Sequence, residues 1–261
     1  MKQILTAVVI TLLLTTAAFA QQAGRETLVQ TSTIDALADG VFDGTMSYAK
    51  LCRSGDFGIG TFNGLDGEMI AFDGKLWQVR ADGKAYPVDP QSARTPFAAV
   101  TFFEPDYTAT IPAGTDLKGL SALIDTLTPS PNFFYAIRVD GSFRSMKTRS
   151  VPAQSKPYPP LVEVTRQQPT FEFRNVRGTI VGFRCPAFAK GVNVVGDHLH
   201  FLDTACTGGG HILDFTVRKA TLSIDLTPAF TLLLPTDNPD FAGTNLSVDR
   251  EKEIHEAEKD K

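Results

Sequence analysis

Positive charge is in short supply in this chain. Its 25 lysines and arginines face 29 aspartates and glutamates, for a formal charge of −4. No basic stripe runs along it, and the densest charge is the mixed tail "DREKEIHEAEKDK". Neutralising phosphates takes a basic face, so a nucleic-acid partner is excluded. Cysteine is equally sparse: Cys52, Cys185 and Cys206, with no Cys-x-x-Cys spacing. An odd count leaves at least one thiol free, and all three are expected unpaired and partly buried. No phosphate-binding glycine loop follows a strand, so no organic cofactor is expected. After residue 20 no apolar run reaches the roughly 20 residues that a membrane-spanning helix needs.

The one long apolar run stands at the start. "MKQ" is a short basic head, "ILTAVVITLLLTTAAF" an apolar core, and Ala18-Phe19-Ala20 a small-x-small cleavage site. Residues 1–20 therefore read as a secretory signal peptide. The expected mature chain starts near Gln21 and is exported to the periplasm or the medium, free of the membrane once cleaved. Apolar residues make up 43% of the chain, enough for a real core in one large domain or two small ones.

Turn and helix signals sort the rest. "TSTIDALADG" has Ser32 or Thr33 as N-cap and Gly40 as a left-handed stop, and "GTMSYAKLCRSG" repeats the pattern between Thr45 and Gly55. Asp-Gly pairs at 66–67, 73–74, 82–83 and 140–141 separate apolar runs, which predicts hairpins. "TDLKGLSALIDTL" places Leu117, Leu120, Ile124 and Leu127 on one helical face. The proline-rich "PAQSKPYPPL" (152–161) suggests a boundary, and strands dominate beyond it until a charged helical tail from Val248. The expected fold is α/β of the α+β kind and rich in sheet. Residues 21–151 would form a mixed sheet with helices, and 152–261 a β-barrel-like half that carries a metal site and the tail.

Histidine is scarce too. Of four, three lie in "GDHLHFLDTACTGGGH", residues 196–211. On a strand His198 and His200 share a face. A return through the triple glycine brings His211 onto a neighbouring strand, where cross-strand residues sit about 5 Å apart. Three imidazoles with an open fourth position form the catalytic zinc arrangement. The plainer alternative is polar histidines on a sheet face. His255 in the tail reads as exposed. On spacing alone, Glu68 and Arg149 read as solvated strand-edge charges. A cupin-like metal oxygenase is a rival enzyme, but Asp203 has the wrong strand parity for its carboxylate ligand. A non-enzymatic exported zinc-binding protein is the other rival, and it lacks a fourth His or Cys ligand.

Longer motifs carry a resemblance. "TSTIDALADGVFDG", "GDFGIGTFNGLDGEMIAFDGK", "TPFAAVTFF", "FYAIRVDGSF", "KTRSVPAQSKPYPPL", "GTIVGFRCP" and "HLHFLD" followed by "GGH" resemble alpha-acetolactate decarboxylase, in that family's order and over nearly the whole mature chain. The resemblance implies a zinc-dependent lyase that converts 2-acetolactate to acetoin and carbon dioxide through a metal-stabilised enediolate. It implies Zn2+ on His198, His200 and His211, with Glu68 and Arg149 in the catalytic site. It also implies a tail glutamate, for which Glu258 is the best match and Glu253 and Glu256 lie close by. A homodimer and a small-molecule substrate are implied too. Asp197 departs from the aromatic expected before the first histidine. On a strand it faces away from the metal.

Overall fold

A computed structural model describes residues 24–258. The signal peptide expected at 1–20 lies outside the described residues. Fourteen strands are present among them. They are β1 (Thr27–Thr31), β2 (Met46–Ser47), β3 (Phe57–Thr61), β4 (Glu68–Phe72), β5 (Lys75–Val79), β6 (Ala85–Pro87) and β7 (Arg94–Thr95), then β8 (Ala98–Thr101), β9 (Tyr107–Ile111), β10 (Phe134–Arg149), β11 (Thr170–Cys185), β12 (Gly196–Asp203), β13 (Gly209–Thr227) and β14 (Ala229–Leu233). The helices are α1 (Ile34–Ala38), α2 (Tyr48–Leu51), α3 (Leu117–Leu127), α4 (Leu161–Thr165), α5 (Pro239–Gly243) and α6 (Glu251–Glu258). The sheet-rich α+β class is as expected.

One sheet has the order β14-β1-β8-β3-β4-β5-β6. Its tightest turn follows the sequence signal: Phe72 pairs with Lys75, and Asp73 and Gly74 between them have φ of 52° and 70°. Positive φ at both positions is what a two-residue turn needs to match the twist of its strands. The other sheet has the order β10-β11-β12-β13-β9, and β10 also pairs with β13. The pairings of β10, β11, β12 and β13 thus run in a closed circuit. Strand β10 precedes residue 152 yet belongs to this second sheet, and β14 follows it yet joins the first.

Two sequence expectations are corrected. Asp140-Gly141 is not a turn; the chain runs straight through it in the 16-residue β10. Gly141 is there because β13 passes close: a Cβ would sit 2.4 Å from the Ala220 Cβ and 2.5 Å from the Lys219 carbonyl oxygen. The local Asp-Gly signal yields to a tertiary contact. Gly141→Ala is accordingly expected to cost about 1–3 kcal/mol, lowering Tm by roughly 3–10 °C. An unchanged melting curve would show that the close approach is dispensable. The second correction is smaller. Helix α2 is capped by Ser47, whose Oγ accepts from Lys50 N–H, and Thr45 instead bonds Asp237. Thr33 caps α1 by accepting from Ala36 N–H.

Three cores position the site. Ile59, Ile70 and Val79 of the first sheet pack with Ala136, Val181 and Phe183 of the second, locking the sheets together. Leu120 and Ile124 hold α3 onto Phe143, Phe201 and Phe215. A third core gathers α1, α4 and α6 over the seam through Ile34, Leu37, Leu161, Val164, Ile254 and Ala257. In α6, Ile254 and Ala257 are buried while Glu251, Lys252, Glu253 and His255 are exposed. The charged tail turns that apolar edge inward. No disulfide joins Cys52, Cys185 or Cys206 among the described residues.

Candidate active site

Strand register assembles the site. His198 and His200 lie two apart on β12, so their side chains leave the same face. His200 is directly opposite His211 on β13, and His211 is directly opposite Arg149 at the end of β10. The triple glycine makes this approach possible. A Cβ on Gly209 would meet the Phe201 carbonyl oxygen at 2.0 Å, and one on Gly210 the Arg149 carbonyl oxygen at 2.3 Å. Glu68 arrives from the other sheet, at the start of β4. Glu258 arrives from the last turn of α6.

The three imidazoles are buried, and their ligating atoms lie within 4.8 Å of one another. Two backbone carbonyls orient them. His200 Nδ1–H donates to the Met69 oxygen at 2.9 Å, and His211 Nε2–H donates to the Glu258 oxygen at 3.0 Å. A carbonyl only accepts, so each bond leaves the other ring nitrogen as a bare lone pair facing the group. His200 Nε2 is fully buried and has no hydrogen-bond partner. A buried polar atom without a partner is costly, and a metal ion is the natural occupant of such a lone pair. Burial also holds His200 and His211 well below the ordinary histidine pKa, which keeps them neutral and able to ligate. The donor set therefore fits a metal. Cys206 lies in the return loop outside this set.

Carboxylates and a cation ring the histidines. Glu68 Oε2 is 3.6 Å from His200 Nε2. Glu258 Oε2 is 3.6 Å from His198 Nε2 and from His211 Nδ1, and it accepts from Arg149 Nη2 at 3.1 Å. Arg149 Nη1 donates to Gln168 Oε1 at 2.6 Å, while its Nε–H is buried without a partner. Burial pushes the Glu68 carboxyl up to about 7, against the opposing pull of Arg149. A carboxyl poised near neutrality can carry a proton at working pH.

A small cavity of about 30 Å³ joins these groups. Glu68, Arg149, His198, His200 and Glu258 form its polar side, and Leu37, Leu65, Phe97, Val151 and Leu161 its apolar wall. All six residues singled out in the sequence thus meet in one place. Of the three tail glutamates, Glu258 is the one beside the histidines: Glu253 is exposed, and Glu256 pairs with Arg166 at the surface. Asp197 faces away, as its parity requires, and takes Arg184 Nε and Nη2 at 2.7 and 2.8 Å. The apolar wall escaped the sequence reading because its members come from separate segments with no shared periodicity. Gln168 escaped it as a lone amide in a loop.

Comparison with known proteins places the chain among relatives. The family model described as alpha-acetolactate decarboxylase matches residues 28–248, ending before α6. The chain is 52% identical over 229 residues to the alpha-acetolactate decarboxylase of Methylococcus capsulatus, covering 88% of this chain and 87% of that one. It is 46% identical over 224 residues to that of Bacillus subtilis, covering 82% and 88%. The crystal structure of the alpha-acetolactate decarboxylase from Bacillus subtilis strain 168 superposes with a TM-score of 0.87 at 45% identity, covering 89% of this chain and 99% of that one.

Proposed function

The chain belongs to the alpha-acetolactate decarboxylase family, and on that premise we propose that it is a zinc-dependent enzyme converting 2-acetolactate to acetoin and carbon dioxide. The observation that carries the zinc assignment is the buried His198–His200–His211 group with its orphaned His200 Nε2. Three imidazoles suit zinc, and three protein ligands leave a position for substrate. When bound there, zinc supplies Lewis acidity toward the hydroxyl and ketone oxygens of the substrate.

The chain's own residues do the rest. Arg149 offers a buried, planar cation to the substrate carboxylate and to the negative charge that builds up as carbon dioxide leaves. Leu37, Phe97 and Leu161 keep water out of the reacting space and favour neutral carbon dioxide over the charged carboxylate. Glu68, protonated in part near neutral pH, is the residue best placed to deliver the final proton. Because it reaches the histidines from one sheet only, protonation comes from one side and fixes the handedness of acetoin. Glu258 braces both Arg149 and His211, the first through its carboxylate and the second through its carbonyl. The proposal extends to acetoin and butanediol biosynthesis as the metabolic setting. It also extends to export, supported by the N-terminal apolar run, and to a homodimer, tested by light scattering of the mature chain.

The deciding experiment uses purified residues 21–261 with racemic 2-acetolactate. Acetoin and carbon dioxide are followed before chelation, after it, and after zinc is restored. Activity is expected to vanish with the chelator and return with zinc. A folded, zinc-loaded sample that releases no acetoin would overturn the assignment.

A further inference from the structure

We propose that Gln168 is a positioning residue, one that holds the Arg149 guanidinium in its working orientation without touching substrate; this rests on the decarboxylase reading of the site. A guanidinium presents five N–H donors and no acceptor. Arg149 is 3% exposed, so water cannot serve those donors freely. One end goes to Glu258 through Nη2, the other to Gln168 through Nη1, and Nε–H has no partner. The Gln168 bond is the shorter of the two, 2.6 Å against 3.1 Å. Without it Nη1 joins Nε as an orphan, and the cation is drawn toward the carboxylates Glu258 and Glu68 on the cavity side.

The chemistry of the acceptor matters. An amide oxygen fixes the plane of the guanidinium yet leaves its charge unneutralised. A carboxylate at the same position would fix the plane and also compete with an anionic substrate for the charge. The backbone around Gln168 suits a brace. Its N–H bonds back to Thr165 O at the end of α4, and the next carbonyl, Pro169 O, accepts from Ser150 N–H beside Arg149. Gln168 is half-buried and lies outside the cavity lining. Its effect therefore has to pass through Arg149.

The test compares wild type, Gln168→Leu, Gln168→Glu, Arg149→Lys and the double variant Arg149→Lys/Gln168→Leu, all zinc-loaded. Gln168→Leu is expected to keep its metal content and to lose about a hundredfold in kcat, the scale of a misplaced catalytic group. Gln168→Glu keeps the acceptor, so kcat stays close to wild type while KM for the anionic substrate rises. In the Arg149→Lys background, adding Gln168→Leu is expected to cost nothing further, since the planar fork it braces is already gone. Wild-type kinetics in Gln168→Leu, or an equal loss in both backgrounds, overturns the proposal. The Arg149 Nε–H resonance in a nitrogen-15 spectrum reads the brace without activity: sharp in wild type, broadened in Gln168→Leu. A wild type with no acetoin release but with that difference in resonance would sink the decarboxylase reading and leave the brace standing. No difference alongside full wild-type activity would do the reverse.

Discussion

His200→Ala is expected to lose both its metal and its activity, with kcat falling at least about a thousandfold, or roughly 4 kcal/mol of barrier. His200 is the imidazole that the fold constrains most. It is 1% exposed, its Nδ1–H is fixed on the Met69 carbonyl, and its Nε2 has no protein partner. Removing it takes away one of the three imidazoles of the group. Metal content and turnover are measured on the same sample, with a melting curve to show that the variant is folded. A folded variant that retains both zinc and full activity would remove the assignment.

Acid should act on the same group. Burial holds the folded-state pKa of His200 and His211 well below the ordinary 6.5. With a depressed folded pKa, the unfolded chain binds protons first as pH falls. The stability carried by the neutral imidazoles is thus fully present above about 6.5 and is lost as pH drops below it toward the folded values. Protons also compete directly with metal for the ring nitrogens. Zinc release is expected on acidification, and a metal content that stays flat down to about pH 4 would count against histidine ligation.

Much of this site was legible because its signals are local. A two-residue period puts His198 and His200 on one face, and a glycine run before His211 announces a close return. Arg149 was not legible from spacing, since its place opposite His211 depends on a register spanning 62 positions of chain. Family resemblance, not periodicity, singled it out. The tail glutamate was more legible than the sequence reading made it. Ile254 and Glu258 are four apart, so on a helix that buries Ile254 they share a face, whereas Glu253 and Glu256 turn outward. The Asp140-Gly141 turn failed for the opposite reason. The dipeptide is a strong local signal, but the neighbour that keeps the chain extended is Ala220, distant in sequence.

Arg149→Ala is expected to separate what His200→Ala joins. Arg149 lies opposite His211 but supplies no ligating atom, so zinc should remain bound. Its loss strips the buried Glu258 carboxylate of its ion-pair partner and removes the attraction that restrains Glu68. Glu68 should then rise further above about 7, which shifts the protonation of the site toward neutral carboxyls. Breaking a buried pair by removing one partner costs about 3–5 kcal/mol in stability, less whatever Glu258 recovers by taking up a proton. The catalytic cost is separate: kcat/KM should fall by about three orders of magnitude, the scale of losing a buried donor aimed at developing charge. Arg149→Lys should recover only a small part, because an ammonium keeps the charge but not the fork that reaches Glu258 and Gln168 together. Zinc content, melting temperature and steady-state kinetics on the two variants settle the point. Near-normal kinetics with zinc retained would exclude Arg149 from the reaction. Lost zinc would instead make it a support for the metal, acting through the Glu258 brace on His211.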